Sequence, residues 1–318
     1  MHYMKTFNEK LSGLPIAAVA AFMGAATLSN AWNSLGFPWI RNIIMCAAAV
    51  VWILFLCKIL FAFKAVKSEY EKTVPMSLYG AFFMLLMILA MWLHTWIPGI
   101  AKPVFFVAVA LHAIHILVFT FRNVLRGVKI ETFLPCWFVT YNGIMVSTVV
   151  GFAHLPGFGN IILYYGIAVY AVVIVFMVIR LVRSQVAPQF LHTTPVVIAP
   201  VSLCLASYLN VEASPRIDVI IILYVLLLVS VLYVLKKLPR YFAVPFNPGF
   251  AGLTFPMAIG CVASLRTSAW LGGNYGAWGP MVRQIAGVQV WLTTAIIAFV
   301  LFNFLRMAAR SMDAGTAS

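Results

Sequence analysis

The chain has 318 residues, of which 64% are hydrophobic and only 9% are charged. Such a composition excludes a water-soluble globular domain, because soluble domains carry about 25% charged residues. The formal net charge of +14 requires no nucleic-acid partner, since basic loops beside membrane spans account for it. The sequence therefore predicts one all-α integral membrane domain over residues 1–318.

Apolar runs separated by charged residues or by Pro and Gly predict ten transmembrane helices, each close to the roughly 20 residues that cross a bilayer. We interpret the first run as a genuine span rather than a cleavable signal peptide, because it contains Gly and Pro early and further spans follow it. The predicted spans are, in chain order, 13–32, 40–63, 76–96, 103–121, 134–153, 161–181, 194–210, 217–235, 248–268 and 284–305.

Lysine and arginine are distributed unevenly between the two sets of loops that alternate along the chain. With the first span running outward, the outer side receives few of the 21 basic residues, namely Arg41, Lys102, Arg216, Arg266 and Arg283. Basic residues favour the cytoplasmic side of a membrane. We therefore expect a multi-pass membrane protein with both termini in the cytoplasm, which an even number of spans allows.

Prolines recur at a spacing of about 60 residues, and each period holds two predicted spans. Because two spans return the chain to its starting side, the pattern favours five parallel helical-hairpin repeats around a central pore. Any single one of these prolines also fits an ordinary helix start. The repeated dipeptides are Leu14-Pro15, Val74-Pro75, Leu134-Pro135, Thr194-Pro195 and Phe255-Pro256. The corresponding hairpins are approximately 1–65, 66–125, 126–185, 186–240 and 241–318.

The odd-numbered spans contain more hydroxyl, amide and glycine residues than the even ones, as Thr140, Asn142 and Gly143 in the fifth span illustrate. Polar side chains at membrane depth face protein or a water-filled cavity rather than lipid. We therefore expect an inner ring of five odd helices, which leaves an axial hole only roughly 2 to 4 Å in radius. Small residues also fit simple close packing between helices.

The positions of the acidic residues indicate whether an anion or a cation passes through such a hole. All seven lie at span ends, in loops or in a terminal tail, so we expect no carboxylate to line the membrane interior. Cation pathways and proton relays usually place Asp or Glu at depth. The sequence therefore favours small anions.

Two segments resemble a known family. Residues 198–209, IAPVSLCLASYL, are similar to the seventh helix of the tellurite-resistance/dicarboxylate transporter family, and Thr254-Phe255-Pro256 is similar to part of its ninth. This family includes TehA-like bacterial proteins and the plant slow-type anion channels, and the resemblance spans nearly the whole chain. It implies a homotrimer with one pore in each subunit, and a phenylalanine, here Phe255, that occludes the pore. It also implies a location in the bacterial cytoplasmic (inner) membrane.

Phe255 is also distinguished by the repeat, because it is the aromatic member of the five residues that precede the repeated prolines. Packing between helices, as for most of the 25 phenylalanines, is the alternative. The pore-lining candidates are the remaining residues of the five dipeptides together with Pro200 and Thr254. Arg266, near the outer end of the ninth span, either attracts anions to the pore mouth or extends to the lipid headgroups.

His112 and His115 are three residues apart in the fourth span, a spacing that fits metal or haem ligation. Without a second ligand set, buried histidines held by hydrogen bonds are the stronger interpretation. The five cysteines include no C-x-x-C pair and are interpreted as small buried apolar residues. We expect no cofactor and no metal.

Three functions remain open at this point. The sequence favours a passive, gated anion channel that is not an enzyme, since no nucleotide-binding loop, activated nucleophile or carboxylate pair is present. A proton- or anion-coupled carrier or exporter of dicarboxylate, sulfite or tellurite shares the same fold. A membrane oxidoreductase subunit that uses His112 and His115 is the alternative from another class.

Overall fold

The computed structural model describes residues 10–155 and 157–314, and every regular element in that part of the chain is helical. Short 3₁₀ or π-helical turns join several of the helices. The α-helices are α1 (Ile16–Ser34), α2 (Pro38–Phe61), α3 (Phe63–Tyr70), α4 (Thr73–Leu78), α5 (Gly80–Leu93), α6 (Pro98–Thr120), α7 (Trp137–Tyr141), α8 (Val146–Val150), α9 (Phe158–Arg183), α10 (Ile198–Val211), α11 (Ile217–Phe242), α12 (Thr254–Tyr275) and α13 (Trp278–Ala314).

Eight helical segments of the described chain are long and apolar enough to cross a membrane. This confirms an all-α membrane protein. The count of ten spans stays a prediction, because two of the predicted spans are not among these eight segments. Helix α1 has a polar end near Asn30 and Asn33, and α7 and α8 are short pieces of one interrupted segment. The eight segments are Pro38–Phe61, Thr73–Leu93, Pro98–Leu125, Phe158–Arg183, Pro188–Val211, Ile217–Phe242, Pro248–Tyr275 and Trp278–Arg310.

Burial divides these segments into two kinds. The most apolar stretches of Thr73–Leu93, Pro188–Val211 and Pro248–Tyr275 are 67%, 83% and 72% buried, whereas the corresponding stretches of α2, α6, α9, α11 and α13 are only 22% to 33% buried. Helix α1 is also buried along most of its length. A helix whose apolar surface stays uncovered by protein is suited to lipid contact, so the second group forms the periphery.

The buried helices contact one another in a closed order. Helix α1 packs on α5, α5 on α8, α8 on α10, α10 on α12, and α12 again on α1. Each of them also packs against the peripheral helix that follows it in the chain. This is the arrangement that a ring of helical hairpins requires. The hairpin boundaries given above stay a prediction.

The repeated prolines lie close to the beginnings of the buried helices, where a missing backbone N–H is least costly. Their offsets nevertheless differ. Pro15 and Pro135 precede α1 and α7, Pro75 lies inside α4, Pro195 lies in the 3₁₀ segment before α10, and Pro256 is the third residue of α12. The five prolines therefore do not occupy one common position relative to the beginnings of these helices.

The ends of the chain, residues 1–9 and 315–318, lie outside the described residues. The expected cytoplasmic location of both termini thus stays a prediction. Lys58, which the loop pattern assigned to the cytoplasmic basic residues, lies within α2 and is fully buried. Its ammonium group donates to the carbonyl oxygen of Leu14 at 2.7 Å and forms an ion pair with Glu69. Lys58 therefore binds groups in the protein interior, besides being one of the basic residues from which the orientation is predicted.

Candidate functional site

A cavity of about 200 Å³ lies between the buried helices. Helices α1, α5, α8 and α12 supply most of its wall, and the first turn of α2 supplies the rest. The lining residues are Thr27, Asn30, Arg41, Ile88, Met91, Val146, Val149, Val150, Phe255, Ile259, Val262 and Arg266. Two of the residues singled out from the sequence, Phe255 and Arg266, thus lie in one site.

The two ends of this cavity differ in exposure. Asn30, Arg41 and Val150 are partly exposed, whereas Phe255 and Ile259 are buried. Asn30 and Val150 also lie near the ends of α1 and α8, whereas Phe255 lies at the beginning of α12. The cavity therefore opens beside Arg41 and closes at Phe255.

Phe255 is held at a transition in the backbone. The 3₁₀ turn Pro248–Leu253 passes directly into α12, which begins at Thr254. The Thr254 hydroxyl donates to the carbonyl oxygen of Ala251 at 2.7 Å and lies 3.2 Å from that of Ala20 in α1. With 3% of its surface exposed, Phe255 is fixed between helices at the closed end of the cavity.

Gly24 allows α1 to approach this transition closely. A β-carbon at Gly24 would lie 2.5 Å from the backbone nitrogen of Phe255 and 2.5 Å from the β-carbon of Thr254. Neither contact is with the flexible end of a side chain, so the backbones would have to separate. The small residue here therefore serves the close packing of α1 on α12, and through it the placement of Phe255.

Arg266 lies further along α12 and turns its guanidinium group inward. Nη2 donates to the carbonyl oxygen of Val149 at 2.7 Å, and Nη1 donates to that of Ala206 at 3.1 Å. Val149 belongs to the last turn of α8, where carbonyl groups lack helical partners. The side chain therefore connects α12 to α8 and α10.

Arg41 and Asn30 form a second polar pair at the open end. Nε of Arg41 donates to Oδ1 of Asn30 at 2.8 Å, which joins the first turn of α2 to α1. Thr27 lies nearby on the same wall, but its hydroxyl donates to the carbonyl oxygen of Met23 at 2.9 Å. Sequence reasoning treated Arg41 only as a loop charge. Asn30 and Arg41 are eleven residues apart, on either side of the short connection between α1 and α2, and this proximity in the sequence was the available signal.

The charges around the cavity share one sign. Among the described residues that line it, Arg41 and Arg266 are cationic and none is acidic. The ion pairs of the described chain join Lys58 to Glu69 and Arg216 to Asp218, so neither cavity arginine is neutralised by a carboxylate. Uncompensated charge in a poorly solvated site favours an opposite charge nearby. The cavity is therefore suited to an anion.

The other pore-lining candidates do not line this cavity, although all belong to the described residues. They lie at the opposite ends of the buried helices from the cavity opening. There the Thr194 hydroxyl donates to the carbonyl oxygen of Leu191 at 2.8 Å and lies 2.7 Å from the hydroxyl of Tyr241. Their contribution to a pore stays a prediction. These candidates are Leu14, Pro15, Val74, Pro75, Leu134, Pro135, Thr194, Pro195, Pro200, Thr254 and Pro256.

His112 and His115 are buried and engaged by hydroxyl and carbonyl groups. Nε2 of His112 donates to the carbonyl oxygen of Thr140 at 2.8 Å. The Thr140 hydroxyl donates to the carbonyl oxygen of Ser77 at 3.2 Å, so it accepts from Nε2 of His115 at 3.3 Å. Nδ1 of His115 then accepts from the Tyr70 hydroxyl at 2.7 Å. These contacts favour a structural role over metal ligation.

Metal and thiol chemistry find little support elsewhere. Within the described residues, no group of three or more His, Cys, Asp or Glu side chains is placed to hold a metal ion. All five cysteines are free, and Cys136, Cys204 and Cys261 are buried as expected. Cys46 is exposed and Cys57 is partly exposed, contrary to the expectation of burial, because both lie on the peripheral helix α2.

Comparisons with known proteins identify what the chain as a whole is similar to. Residues 13–308 match the family model described as voltage-dependent anion channel. The chain is also similar to the tellurite resistance protein TehA homolog of Haemophilus influenzae, with 24% identity over 287 residues that cover 81% of this chain and 85% of the relative. The resemblance based on residues 198–209 and on Thr254-Phe255-Pro256 is thereby confirmed.

Proposed function

Because the chain belongs to the voltage-dependent anion channel family, we propose that it is a gated channel for small anions. The observation that carries this proposal is the cavity between the buried helices, which has two arginines and no carboxylate in its described lining and ends at Phe255. Channels pass ions whose charge opposes that of the groups along the path. Membership in this family also argues against an enzyme.

In this proposal the conducting path follows the axis of the closed order α1, α5, α8, α10 and α12. Five helices of ordinary thickness leave a hole roughly 2 to 4 Å in radius, which one aromatic ring can fill. Phe255 lies at the closed end of the cavity and is 3% exposed, as a plug would be. We assign it the role of gate, with Arg266 and Arg41 attracting anions to the mouth.

The same proposal includes ten spans in five parallel hairpins, and a location in the bacterial cytoplasmic membrane with both termini inside. The loop distribution of lysine and arginine supports this orientation, which places the open end of the cavity outside the cell. A homotrimer with one pore per subunit is carried over from the family resemblance. The large exposed apolar surface of the peripheral helices suits either lipid or neighbouring subunits.

A coupled carrier or exporter is the second candidate, favoured by the name of the relative, a tellurite resistance protein homolog. A carrier of dicarboxylate, sulfite or tellurite would use the same cationic cavity as its binding site. It would differ from a channel in flux, because alternating access limits each cycle to one or a few substrates. Unitary currents therefore separate the two candidates.

The proposal is tested by recording from the purified protein in planar bilayers under a tenfold gradient of potassium chloride. The reversal potential should lie near the equilibrium potential of chloride, and it should shift when chloride is replaced by a large anion such as gluconate. Replacement of potassium by a large cation should leave it unchanged. A reversal potential that follows the cation would contradict both the anion selectivity and the assignment of the buried helices to the path.

A further inference from the structure

A second hollow, of about 270 Å³, lies apart from the cavity described above. It is formed where α6 ends in a π-helical turn, Phe121–Leu125, and the chain passes into the loop before α7. Three basic side chains line it, those of Arg122, Arg126 and Lys129, together with one carboxylate, that of Glu71. The hollow is therefore cationic.

Hydrogen bonds fix one wall of this hollow. The hydroxyl of Thr73, at the beginning of α4, donates to Oδ1 of Asn123 in the π-helical turn at 2.7 Å. Nδ2 of Asn123 in turn donates to the carbonyl oxygen of Phe119 at 3.1 Å. Irregular helical turns of this kind recur at functional sites. Here the turn joins α4 to α6 and sets the position of the neighbouring Arg122.

The opposite wall, the loop before α7, is fixed as well. Nε of Arg180 in α9 donates to the carbonyl oxygen of Ile130 at 2.9 Å. Nε1 of Trp137 donates to the carbonyl oxygen of Thr132 at 2.7 Å. Both walls are thus held by bonds to neighbouring helices. The hollow is formed before any ligand arrives, which lowers the entropic cost of binding.

The basic side chains that line the hollow have hydrogen-bond donors that are available to a ligand. In the described chain, the side chains of Arg122, Arg126 and Lys129 make no ion pair and donate no hydrogen bond to a protein acceptor. Arg126 lies over the ring of Phe121, with its guanidinium carbon 4.7 Å from the ring centre. Arg180, by contrast, donates to three backbone carbonyls. Arg122, Arg126 and Lys129 thus present a set of donors that suits an anion with several oxygens.

The surroundings of the hollow place it at the membrane surface. Phe121 and Leu125, on the same turn, are 52% and 73% exposed, and both belong to the end of a segment that is apolar enough to span a bilayer. A basic pocket between the ends of membrane helices matches the phosphate of an anionic lipid headgroup. Arginine pairs with phosphate oxygens through parallel hydrogen bonds.

We propose that this hollow binds a phosphate group, carried either by an anionic phospholipid or by a soluble phosphate compound. The phosphate oxygens accept hydrogen bonds from Arg122, Arg126 and Lys129. Glu71 opposes binding through its negative charge. The proposal does not depend on anion conduction, since the hollow is separate from the cavity that ends at Phe255.

The test uses the full-length protein in detergent, with bound lipid counted by native mass spectrometry. The probes are short-chain phosphatidylglycerol, which is anionic, and phosphatidylcholine, which is zwitterionic. The double variant Arg122→Gln/Arg126→Gln should bind phosphatidylglycerol at least about tenfold more weakly than wild type, because it loses charge-assisted hydrogen bonds. Glu71→Gln should bind it more tightly, a gain that a folding defect cannot produce.

The matched control is Lys64→Gln/Lys67→Gln, which removes two exposed charges from α3, outside the hollow. Its affinity for phosphatidylglycerol should stay within about twofold of wild type. An equal loss in this control, or no loss in the arginine variant, would overturn the proposal.

Inorganic phosphate distinguishes the two sources. If the ligand is a lipid, a hundredfold excess of inorganic phosphate should leave phosphatidylglycerol bound. If the ligand is a soluble phosphate, inorganic phosphate should displace the lipid and should itself bind wild type but not the arginine variant. Binding of phosphatidylcholine as tight as that of phosphatidylglycerol would also contradict the proposal, since its choline group meets the same three cations.

Discussion

Arg266 donates a 2.7 Å hydrogen bond to the carbonyl oxygen of Val149, a residue 117 positions earlier in the chain. Its second hydrogen bond, to the carbonyl oxygen of Ala206 in α10, reaches a third buried helix. One side chain thus joins α8, α10 and α12 and also brings its charge to the cavity wall. These two contributions, structural and electrostatic, can be separated by substitution.

We predict that Arg266→Gln lowers anion conductance several-fold, because the cavity loses one of its two charges. Arg266→Lys should retain most of the conductance but lower the free energy of unfolding by about 1 to 3 kcal/mol, since a single ammonium group does not reproduce both carbonyl contacts. Unitary currents recorded in the Phe255→Ala background, together with thermal unfolding in detergent, measure both effects.

The matched control for Arg266 is Arg283→Gln. Arg283 is expected on the same side of the membrane but is exposed and does not line the cavity. Its substitution should leave unitary current unchanged. Equal currents in Arg266→Gln and Arg283→Gln would remove Arg266 from the anion pathway.

Gly24→Ala should disturb the gate without touching the lumen. The added β-carbon would lie 2.5 Å from the backbone nitrogen of Phe255, so α1 and α12 must separate. Overpacking of this kind costs about 1 to 3 kcal/mol, and we expect both a lower unfolding temperature and an altered open probability. Gly287→Ala in α13 is the control, because no atom outside the neighbouring backbone of its own helix lies within 4 Å of the corresponding β-carbon. Equal stability of the two variants would contradict the close approach.

The buried ion pair between Lys58 and Glu69 should behave as a coupled unit. Lys58→Met leaves the carboxylate without its partner, and we expect a loss of up to about 3 kcal/mol in unfolding free energy, at the low end for buried pairs because Glu69 keeps some exposure. The double variant Lys58→Met/Glu69→Gln should recover part of this loss. Additive effects in denaturant unfolding of the single and double variants would show that the pair is not coupled.

Composition and periodicity were sufficient for much of the fold. Apolar runs of about 20 residues reflect the thickness of the hydrocarbon layer, and each predicted range overlaps a helical segment of the structure, with differences at the ends. The greater polarity of the odd spans agrees with the burial of α10 and α12. These features depend on residues that are close together in the chain, so they can be recognised in a single sequence. Helix α5 is buried although it contains no hydroxyl or amide side chain, so its polarity did not indicate its position.

The site was less predictable because its contacts join distant positions. Nothing near Arg266 in the sequence indicates that Val149 and Ala206 are its partners. Arg41 and Lys58 were used only as loop charges that predict the orientation in the membrane. A sequence pattern does not distinguish a loop residue from a residue at a helix end when the helix boundaries are uncertain. The differing offsets of the repeated prolines likewise depend on 3₁₀ turns that apolar patterns do not reveal.

Cysteine labelling in a cysteine-free background tests the orientation. We predict that Lys67→Cys and Lys129→Cys resist membrane-impermeant reagents in intact cells, whereas Gly99→Cys and Arg283→Cys react, because the basic loops stay in the cytoplasm. All four positions lie outside the buried helices. Permeabilised cells provide the control, since all four should then react. Reaction of Lys129→Cys in intact cells would reverse the orientation and place the open end of the cavity inside.

Truncation of Phe255 should open the path. In Phe255→Ala the ring disappears, and because neighbouring backbones relax only partly, most of the vacated volume should remain as lumen. We expect unitary conductance well above that of wild type, with anion preference retained because Arg41 and Arg266 are untouched. Phe255→Leu should lie between the two. Currents at matched protein density in planar bilayers measure the effect.

The control for this last prediction is Phe250→Ala, five residues earlier. Phe250 is 1% exposed, packs on His192 with ring centres 4.0 Å apart, and does not line the cavity. Its loss should cost about 3 to 5 kcal/mol of unfolding free energy, as for other buried phenylalanines, with no rise in current per channel. If Phe255 served only packing, its Ala variant would behave in the same way, poorly stable and no more conductive. A folded Phe255→Ala protein with wild-type current would therefore remove this residue as the gate.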